Sequence, residues 1–132
     1  MDEMKITKQD KELIEKAKAL IKKRRLNGKI DTASALITNK GNIYLGVDIV
    51  CRSEPCSICA EYSSVGSMLT QGEQKIKTIV AVSDSGTILP PCGKCRELVF
   101  DVSGGESEVT VSKNKKFKLN DLEKYYWQGA MK

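Results

Sequence analysis

Two C-x-x-C pairs constrain this 132-residue chain more than any other feature of its sequence. The pairs are Cys56 with Cys59 and Cys92 with Cys95, and a fifth cysteine stands at position 51. An odd number of cysteines, in a chain whose first residues lack the pattern of an export signal, argues against a disulfide framework. The chain has no histidine, so a zinc site in it must be built from thiolates, alone or with carboxylates. The pairs therefore predict a metal centre made of cysteines.

Composition limits the chain to a few classes of protein. Its length predicts one domain over residues 1–132, and a content of 40% hydrophobic and 30% charged residues is typical of a globular protein. No apolar run approaches the roughly 20 residues of a membrane span. Residues 1–5 carry acids in place of the apolar segment of a secretory signal. We therefore expect a cytoplasmic protein with no membrane partner.

The net charge of +5 does not by itself indicate binding to nucleic acid. The basic residues concentrated at positions 16–25 follow the acids Asp10, Glu12 and Glu15 on one predicted helix, as expected for the solvated face of an amphipathic helix. Aromatic residues form only 5% of the chain, which is too few for a platform that stacks the bases of single-stranded nucleic acid. We expect no nucleic-acid partner.

Hydrophobic periodicity and turn residues predict alternating helices and strands. Thr7 and Asp10 form a helix-start pattern before an apolar stripe that runs from Leu13 to Ile21, and Gly28 is the expected stop of this helix. Strands are predicted at 33–38, 43–49, 76–82 and 108–112, and further helices at 55–71, 92–102 and 121–126. The order α-β-β-α-β-α-β predicts a single sheet with helices on its faces.

The cysteines allow two kinds of metal site. Four of them could close a structural zinc knuckle, or three could bind zinc and leave the fourth position open for water, as a catalytic site requires. Residues 60–91 separate the pairs and contain a predicted helix and strand, which favours the second alternative. The start of the helix also matters. A start near Cys59, with Ser57 as N-cap, lets Cys59 and Glu61 converge, whereas a start at Pro55 stacks Cys56 over Cys59 and turns Glu61 away.

The residues around the cysteines resemble a known enzyme family. Cys-Ala-Glu at 59–61, Pro-Cys-Gly-Lys-Cys-Arg at 91–96 and the hairpin from 33–36 to 44–48 are similar to the cytidine deaminase family. The resemblance implies a three-layer α/β/α fold with a mixed sheet of about five strands. It also implies one zinc ion per subunit on Cys59, Cys92 and Cys95, with Glu61 moving protons, and a homotetramer of such subunits.

The resemblance also assigns roles to neighbouring residues. It implies that Arg96 donates to the ligand sulfurs, that the Ala60 N–H holds O2 of the base, and that the Pro90 carbonyl accepts from the amino group. Cys51 and Cys56 are then structural thiols, and we expect Cys56 to be a spare and buried one.

The substrate is a cytosine compound on this interpretation. The resemblance implies hydrolytic removal of the 4-amino group from a free nucleoside or a nucleoside-like compound. Cytidine deaminases carry Asn-x-Glu where this chain has Asp48-Ile49-Val50, so the carboxylate that grips the sugar is missing.

Blasticidin-S deaminases form a sister branch that also lacks that Glu. Their C-terminal Tyr-x-Trp-x-Gly pattern resembles residues 125–129, which makes Trp127 a candidate substrate-binding residue. The loop 84–87 lacks the arginine of that branch. A blasticidin-S deaminase is therefore the alternative function, ahead of a structural zinc module or an enzyme that edits polynucleotides.

Overall fold

The computed structural model describes residues 4–123, which form one mixed sheet covered by helices on both faces. The strands are β1 (Met4–Lys5), β2 (Thr32–Thr38), β3 (Ile43–Val47), β4 (Ile76–Ser83), β5 (Glu108–Ser112) and β6 (Lys115–Lys118). The helices are α1 (Lys8–Arg24), α2 (Ala60–Thr70), α3 (Gly93–Ser103) and α4 (Leu119–Glu123), with a 3-10 turn at Glu54–Cys56. Among these helices none is long and apolar enough to cross a membrane.

The sheet has the order β1-β6-β5-β4-β2-β3. β4 and β5 run parallel, and every other neighbouring pair is antiparallel. The predicted three-layer α/β/α arrangement is confirmed, with six strands rather than about five. The sequence analysis missed β1, which has two residues, and β6, whose sequence Lys-Lys-Phe-Lys carries little apolar signal.

α1 covers one face of the sheet. Its start is fixed by the predicted capping box, in which the Thr7 hydroxyl accepts from the Asp10 N–H and the Asp10 carboxylate accepts from the Thr7 N–H. The apolar stripe of α1 packs on the side chains of β2 and β4 that point toward it; this cluster contains Leu13, Ile14, Ala17, Ile21, Ala33, Ala35, Ile37, Val80 and Val82.

α2 and α3 cover the opposite face, and they carry the residues singled out by the sequence. A second apolar cluster lies beneath them, with Leu36, Val65, Met68, Ile79 and Val99 among its buried members.

Glycine sets how closely α2 approaches the sheet. Gly46 in β3 faces the start of α2 so closely that a Cβ there would overlap the backbone nitrogen of Ser64. Ser34 of β2 and Ser64 of α2 share a buried hydrogen bond of 3.0 Å between their hydroxyls. These contacts fix the position of α2 on the sheet.

A buried lysine ties β6 to the start of α1. The Lys116 ammonium lies 2.8 Å from a carboxylate oxygen of Asp10 and 2.7 Å from one of Glu108, and Thr78 donates to the same Glu108 oxygen. The pKa of Asp10 is lowered. Burial opposes this change, and the hydrogen bonds from Lys116 and Thr7, together with the Lys116 charge, outweigh it.

Candidate active site

The conformation of Cys59 decides how the first half of the site is assembled. Cys59 has extended dihedrals (φ −68°, ψ 152°) and is the N-cap of α2, which begins at Ala60. The helix start near Cys59 is therefore confirmed, and the alternative start at Pro55 is wrong. Ser57 is extended (φ −75°, ψ 144°) and Ile58 forms an antiparallel bridge with Ile49, so the 3-10 turn at Glu54–Cys56 does not continue into α2.

Ser57 has a different partner from the one expected. Instead of capping α2, its hydroxyl accepts from the Cys51 N–H at 2.9 Å. This follows from the same bridge, which places residue 57 beside the segment that continues from β3 rather than at the start of α2.

The second half of the site repeats this construction. Cys92 is the extended N-cap of α3 (φ −69°, ψ 170°), and Cys95 lies in the first turn of that helix, where it is 1% exposed. Pro91 precedes the pair, and its carbonyl accepts from Nε of Arg96 at 3.1 Å. Arg96 thus binds the backbone of the segment that leads into α3. The expected donation from Arg96 to a ligand sulfur stays a prediction.

Three thiols meet at these two helix starts. The Sγ atoms of Cys59, Cys92 and Cys95 all lie within 4.8 Å of one another, and those of Cys59 and Cys92 are 4.0 Å apart. Tetrahedral zinc with bonds of about 2.3 Å to sulfur requires S···S separations of about 3.8 Å. The three cysteines could therefore hold a metal ion with only small adjustments.

The thiols respond to their surroundings in different ways. Burial raises the pKa of Cys59 and of Cys95, and the Glu61 carboxylate raises the pKa of Cys95 further. Burial acts in the same direction on Cys92, but hydrogen bonds from the Cys95 N–H and its neighbours hold the pKa of Cys92 below its usual value. Metal binding would displace the protons that remain, and the N-termini of α2 and α3 favour the resulting negative charge.

Cys56 does not join this cluster. It is bonded to Cys51 in a disulfide whose Cα atoms lie 5.8 Å apart, and it is exposed. The expectation of a spare, buried thiol is therefore wrong. The 3-10 turn at Glu54–Cys56 folds the chain back so that residues 51 and 56 come within bonding distance, which the cysteine count did not reveal.

Glu61 faces a cavity beside the thiols. The cavity has a volume of about 400 Å³, and Cys59, Cys92, Cys95 and Glu61 all line it. Glu61 is 7% exposed, and its burial raises the pKa of its carboxyl. A carboxyl group with a raised pKa beside a metal site is suited to both accepting and donating a proton.

Asp48 lies in the wall of the same cavity and is buried. One of its carboxylate oxygens accepts from the N–H groups of Asp31 and Thr32 at 2.9 and 3.0 Å. Burial, together with the neighbouring Asp31 carboxyl, raises the pKa of Asp48 to about 6. Nothing in the sequence had singled out Asp31, because its proximity to Asp48 arises only when β2 pairs with β3.

Three candidate substrate-binding residues remain, and the structure describes two of them. Ala60, which is buried, and Pro90, which is exposed, both line the cavity. Trp127 lies outside the described residues.

Lys94 and Glu54 also line the cavity, and the sequence analysis passed over both. The Lys94 ammonium lies 4.8 Å from the centre of the Tyr62 ring. The place of Lys94 between the ligand cysteines could have drawn attention to it.

Comparison with known proteins agrees with this geometry. Residues 7–111 match the sequence profile described as the cytidine and deoxycytidylate deaminase zinc-binding region. The chain is 36% identical over 104 residues to the blasticidin-S deaminase of Bacillus cereus, which covers 73% of this chain and 74% of that one. It is 30% identical over 94 residues to a cytidine deaminase of Mycoplasma genitalium, which covers 67% and 72% of the two chains.

Solved structures show the same fold. The crystal structure of cytidine deaminase from Mycobacterium leprae superposes with a TM-score of 0.77 at 24% identity, covering 88% of this chain and 97% of that one. The extent of the profile match, which takes in every described residue of the cavity wall, shows that the chain belongs to the cytidine and deoxycytidylate deaminase family.

Proposed function

We propose that the protein is a zinc-dependent hydrolase that removes the 4-amino group of cytosine from a free nucleoside or a nucleoside-like compound. The observation that carries this proposal is the convergence of three thiols and the buried Glu61 on one cavity, at the starts of two helices. The products would be the uracil form of the substrate and ammonia.

Cys59, Cys92 and Cys95 would hold one zinc ion per subunit. Three thiolates suit zinc, and their number leaves a coordination position for water, as catalytic zinc sites require. When bound, the ion would lower the pKa of that water and supply hydroxide at neutral pH. A net charge of −1 on zinc with three thiolates would oppose this effect, and the N-termini of α2 and α3 would offset part of that charge.

Glu61 would carry the protons. Its carboxylate accepts the proton of the attacking water and delivers it to N3 of the ring, which makes C4 electrophilic. The hydroxide would add to C4, and Glu61 would then take the proton of the new hydroxyl group and pass it to the amino group. The amino group leaves as ammonia, and C4 becomes a carbonyl. Support comes from its burial beside the thiols, which keeps competing water away from the carboxyl and raises its pKa.

Backbone groups would orient the base. The Ala60 N–H at the first position of α2 would donate to O2 of cytosine, and the Pro90 carbonyl would accept from the amino group. Both residues line the cavity. Arg96 would donate to a ligand sulfur while its Nε holds the Pro91 carbonyl.

Blasticidin S is the second candidate substrate, and two observations favour it. The blasticidin-S deaminase of Bacillus cereus is 36% identical to this chain over 104 residues. In addition, Val50 lines the cavity where an acceptor for a sugar hydroxyl is expected. We propose that Asp48 and Trp127 contact the substituent on the base in either case.

Assembly into a homotetramer would exclude polynucleotides from the cavity and so distinguish this enzyme from those that act on them. The side chains of Ile49, Ile58 and Leu89 are 49%, 40% and 36% exposed, and all three line the cavity. We propose that they are covered in a homotetramer whose subunits wall off one another's cavities. Light scattering of the zinc-loaded protein should give four times the mass of the 14.6 kDa chain, and a monomer would contradict this assembly.

Parallel assays test the activity. Zinc-loaded protein is mixed with cytidine, deoxycytidine, blasticidin S or a cytosine-containing single-stranded oligonucleotide, and ammonia release is followed with the ultraviolet change of the base. We expect ammonia from at least one of the first three and none from the oligonucleotide. Deamination of the oligonucleotide alone, or of none of the four, would overturn the proposal.

A further inference from the structure

Residues 51–56 form a short covalent ring at the wall of the cavity. The disulfide between Cys51 and Cys56 closes it, and the Ser57 hydroxyl holds the Cys51 N–H beside it. Residues on both sides of the ring, Val50 and Ser57, line the cavity. The segment is therefore fixed to the cavity wall at both of its ends.

Glu54 is the member of this ring that lines the cavity. It stands at the first position of the 3-10 turn and is exposed. Its carboxylate has neither a hydrogen bond nor an ion pair with any residue between 4 and 123. Val50 in the same wall is apolar, so Glu54 brings an exposed, unpaired carboxylate to this part of the cavity.

The Asp48 carboxylate is less available than that of Glu54 for pairing with a charged group of the substrate. One of its oxygens already accepts from two backbone N–H groups, and its carboxyl is buried against Asp31. Asp48 and Glu61 are buried, so Glu54 is the exposed carboxylate among the described residues of the cavity wall, and it can pair with a charged group that extends toward the opening.

The charges around the cavity favour a positive substituent over a phosphate. Asp48, Glu54 and Glu61 are acidic, and a zinc ion with three thiolates would add a formal charge of −1. Lys94 is the basic side chain of the described lining, and its ammonium lies over the ring of Tyr62. Like charges in such a confined space repel an anion and concentrate a cation.

We propose that Glu54 is a specificity-determining residue that pairs with a cationic substituent on the sugar side of a cytosine compound, and that the Cys51–Cys56 bond positions it. This rests on the proposed deaminase activity and adds the class of substrate. Glu54 acts on substrate affinity, since it lies outside the group of thiols and Glu61 that would carry the chemistry.

The test compares substrates that differ in charge. Zinc-loaded wild type and Glu54→Gln are assayed with 3′-amino-3′-deoxycytidine, 5′-amino-5′-deoxycytidine, cytidine and cytidine 5′-monophosphate. We expect wild type to prefer at least one amino nucleoside over cytidine by about tenfold in kcat/KM, as one charge-assisted contact allows. Glu54→Gln should remove this preference through KM, with kcat changed less than about twofold.

Salt and a matched variant identify the charge as the cause. The preference in wild type should shrink as sodium chloride is raised, because dissolved ions screen the attraction between opposite charges. Glu12→Gln removes an exposed carboxylate on α1, away from the cavity, and should leave every KM unchanged. Equal changes in KM for cytidine and the amino nucleosides in Glu54→Gln, or no preference in wild type, would overturn the assignment of Glu54.

A second comparison tests the ring. The double variant Cys51→Ser/Cys56→Ser should keep its zinc and lose part of the preference, and the same two substitutions in Glu54→Gln should have no further effect. An unchanged preference in the double variant would overturn the positioning role of the disulfide. Failure of these four compounds and of blasticidin S to release ammonia would instead contradict the proposed deaminase activity.

Discussion

Cys59 adopts extended dihedrals one residue before α2 begins, and this conformation allows it to share a cavity with Glu61. On a regular helix, side chains two positions apart point about 200° away from each other. The sequence analysis identified this requirement but left two helix starts open, since both Ser57 and Pro55 are suitable first residues. The bridge between Ile49 and Ile58, a contact between distant segments, selects one of them.

Removal of single cysteines distinguishes ligands from the remaining thiols. Cys95→Ala should lose zinc and lower the melting temperature, because Cys95 is buried and its sulfur completes the cluster. Cys56→Ala should retain one zinc per chain, since Cys56 is bonded to Cys51 and lies outside the cluster. Metal analysis of the purified variants provides the measurement. Loss of zinc from Cys56→Ala would revive the four-cysteine knuckle.

At the scale of elements, α2 and β3 fit together through Gly46. The start of α2 lies so close to β3 that the strand has no room for a side chain at this position. Because α2 carries Glu61 and follows directly on Cys59, its distance from the sheet sets where both groups stand relative to α3. The absence of a side chain at Gly46 thus helps to set the positions of Cys59 and Glu61 in the site.

Gly46→Ala should therefore damage both stability and catalysis. The added methyl group would overlap the Ser64 nitrogen and lie 2.6 Å from the Ser63 Cβ, so α2 must move. We expect a loss of about 2 kcal/mol in the free energy of unfolding, as for other overpacked sites, together with a lower kcat. Gly66→Ala is the matched control, since nothing lies within 4 Å of its Cβ position and it sits on the exposed side of α2.

The control should behave in the opposite way. Alanine within a helix is more stable than glycine by up to about 1 kcal/mol, so Gly66→Ala should unfold at higher denaturant and keep its activity. Equal stability of the two variants in urea would show that α2 is not seated against β3 as described.

The elements also show what the sequence could predict. β2, β4, β5 and α3 were found within one residue of their bounds, because capping residues and apolar patterns mark them locally. The start of α1 was found in the same way, but α1 ends at Arg24, before the expected stop at Gly28. β3 ends at Val47 rather than at position 49, since residues 48 and 49 turn toward Asp31 and Ile58. The ligands and Glu61 were located by motif, whereas Asp31, Glu54 and the Cys51–Cys56 pair depend on contacts that no local pattern encodes.

At the scale of the whole molecule, Lys116 joins the two ends of the described chain. Its side chain is 5% exposed, and its ammonium pairs with both Asp10 at the start of α1 and Glu108 in β5. Burying a charge is costly unless it is paired, so this group of three depends on all of its members. The three residues lie near the edge of the sheet away from the cavity, where β1 pairs with β6.

Lys116→Met should destabilise the protein by about 3 kcal/mol at neutral pH, because it leaves two carboxylates facing each other without a counter-charge. The pKa of Asp10 is lowered in the folded protein, so its stabilising contribution is present above its unfolded pKa and is lost as pH falls through the folded value. The difference in the free energy of unfolding between variant and wild type should therefore become smaller in acid. Urea denaturation at pH 7 and at a series of pH values below 3.8, the usual pKa of an aspartate, measures this difference.

Lys118→Met is the control for this comparison. Lys118 pairs with Glu106 at 3.0 Å, but both side chains are exposed, and such pairs contribute little. A loss of stability in Lys118→Met equal to that in Lys116→Met would contradict the role given to the buried group.

The most direct test of the central claim is turnover by Glu61→Gln. The amide preserves the shape of the side chain and cannot carry a proton, so the zinc-loaded variant should keep its metal content and its melting temperature but lose turnover. We predict a rate of cytosine deamination below about a thousandth of that of wild type on whichever compound wild type accepts. A Glu61→Gln protein that holds zinc and still releases ammonia at a rate near that of wild type would contradict the account.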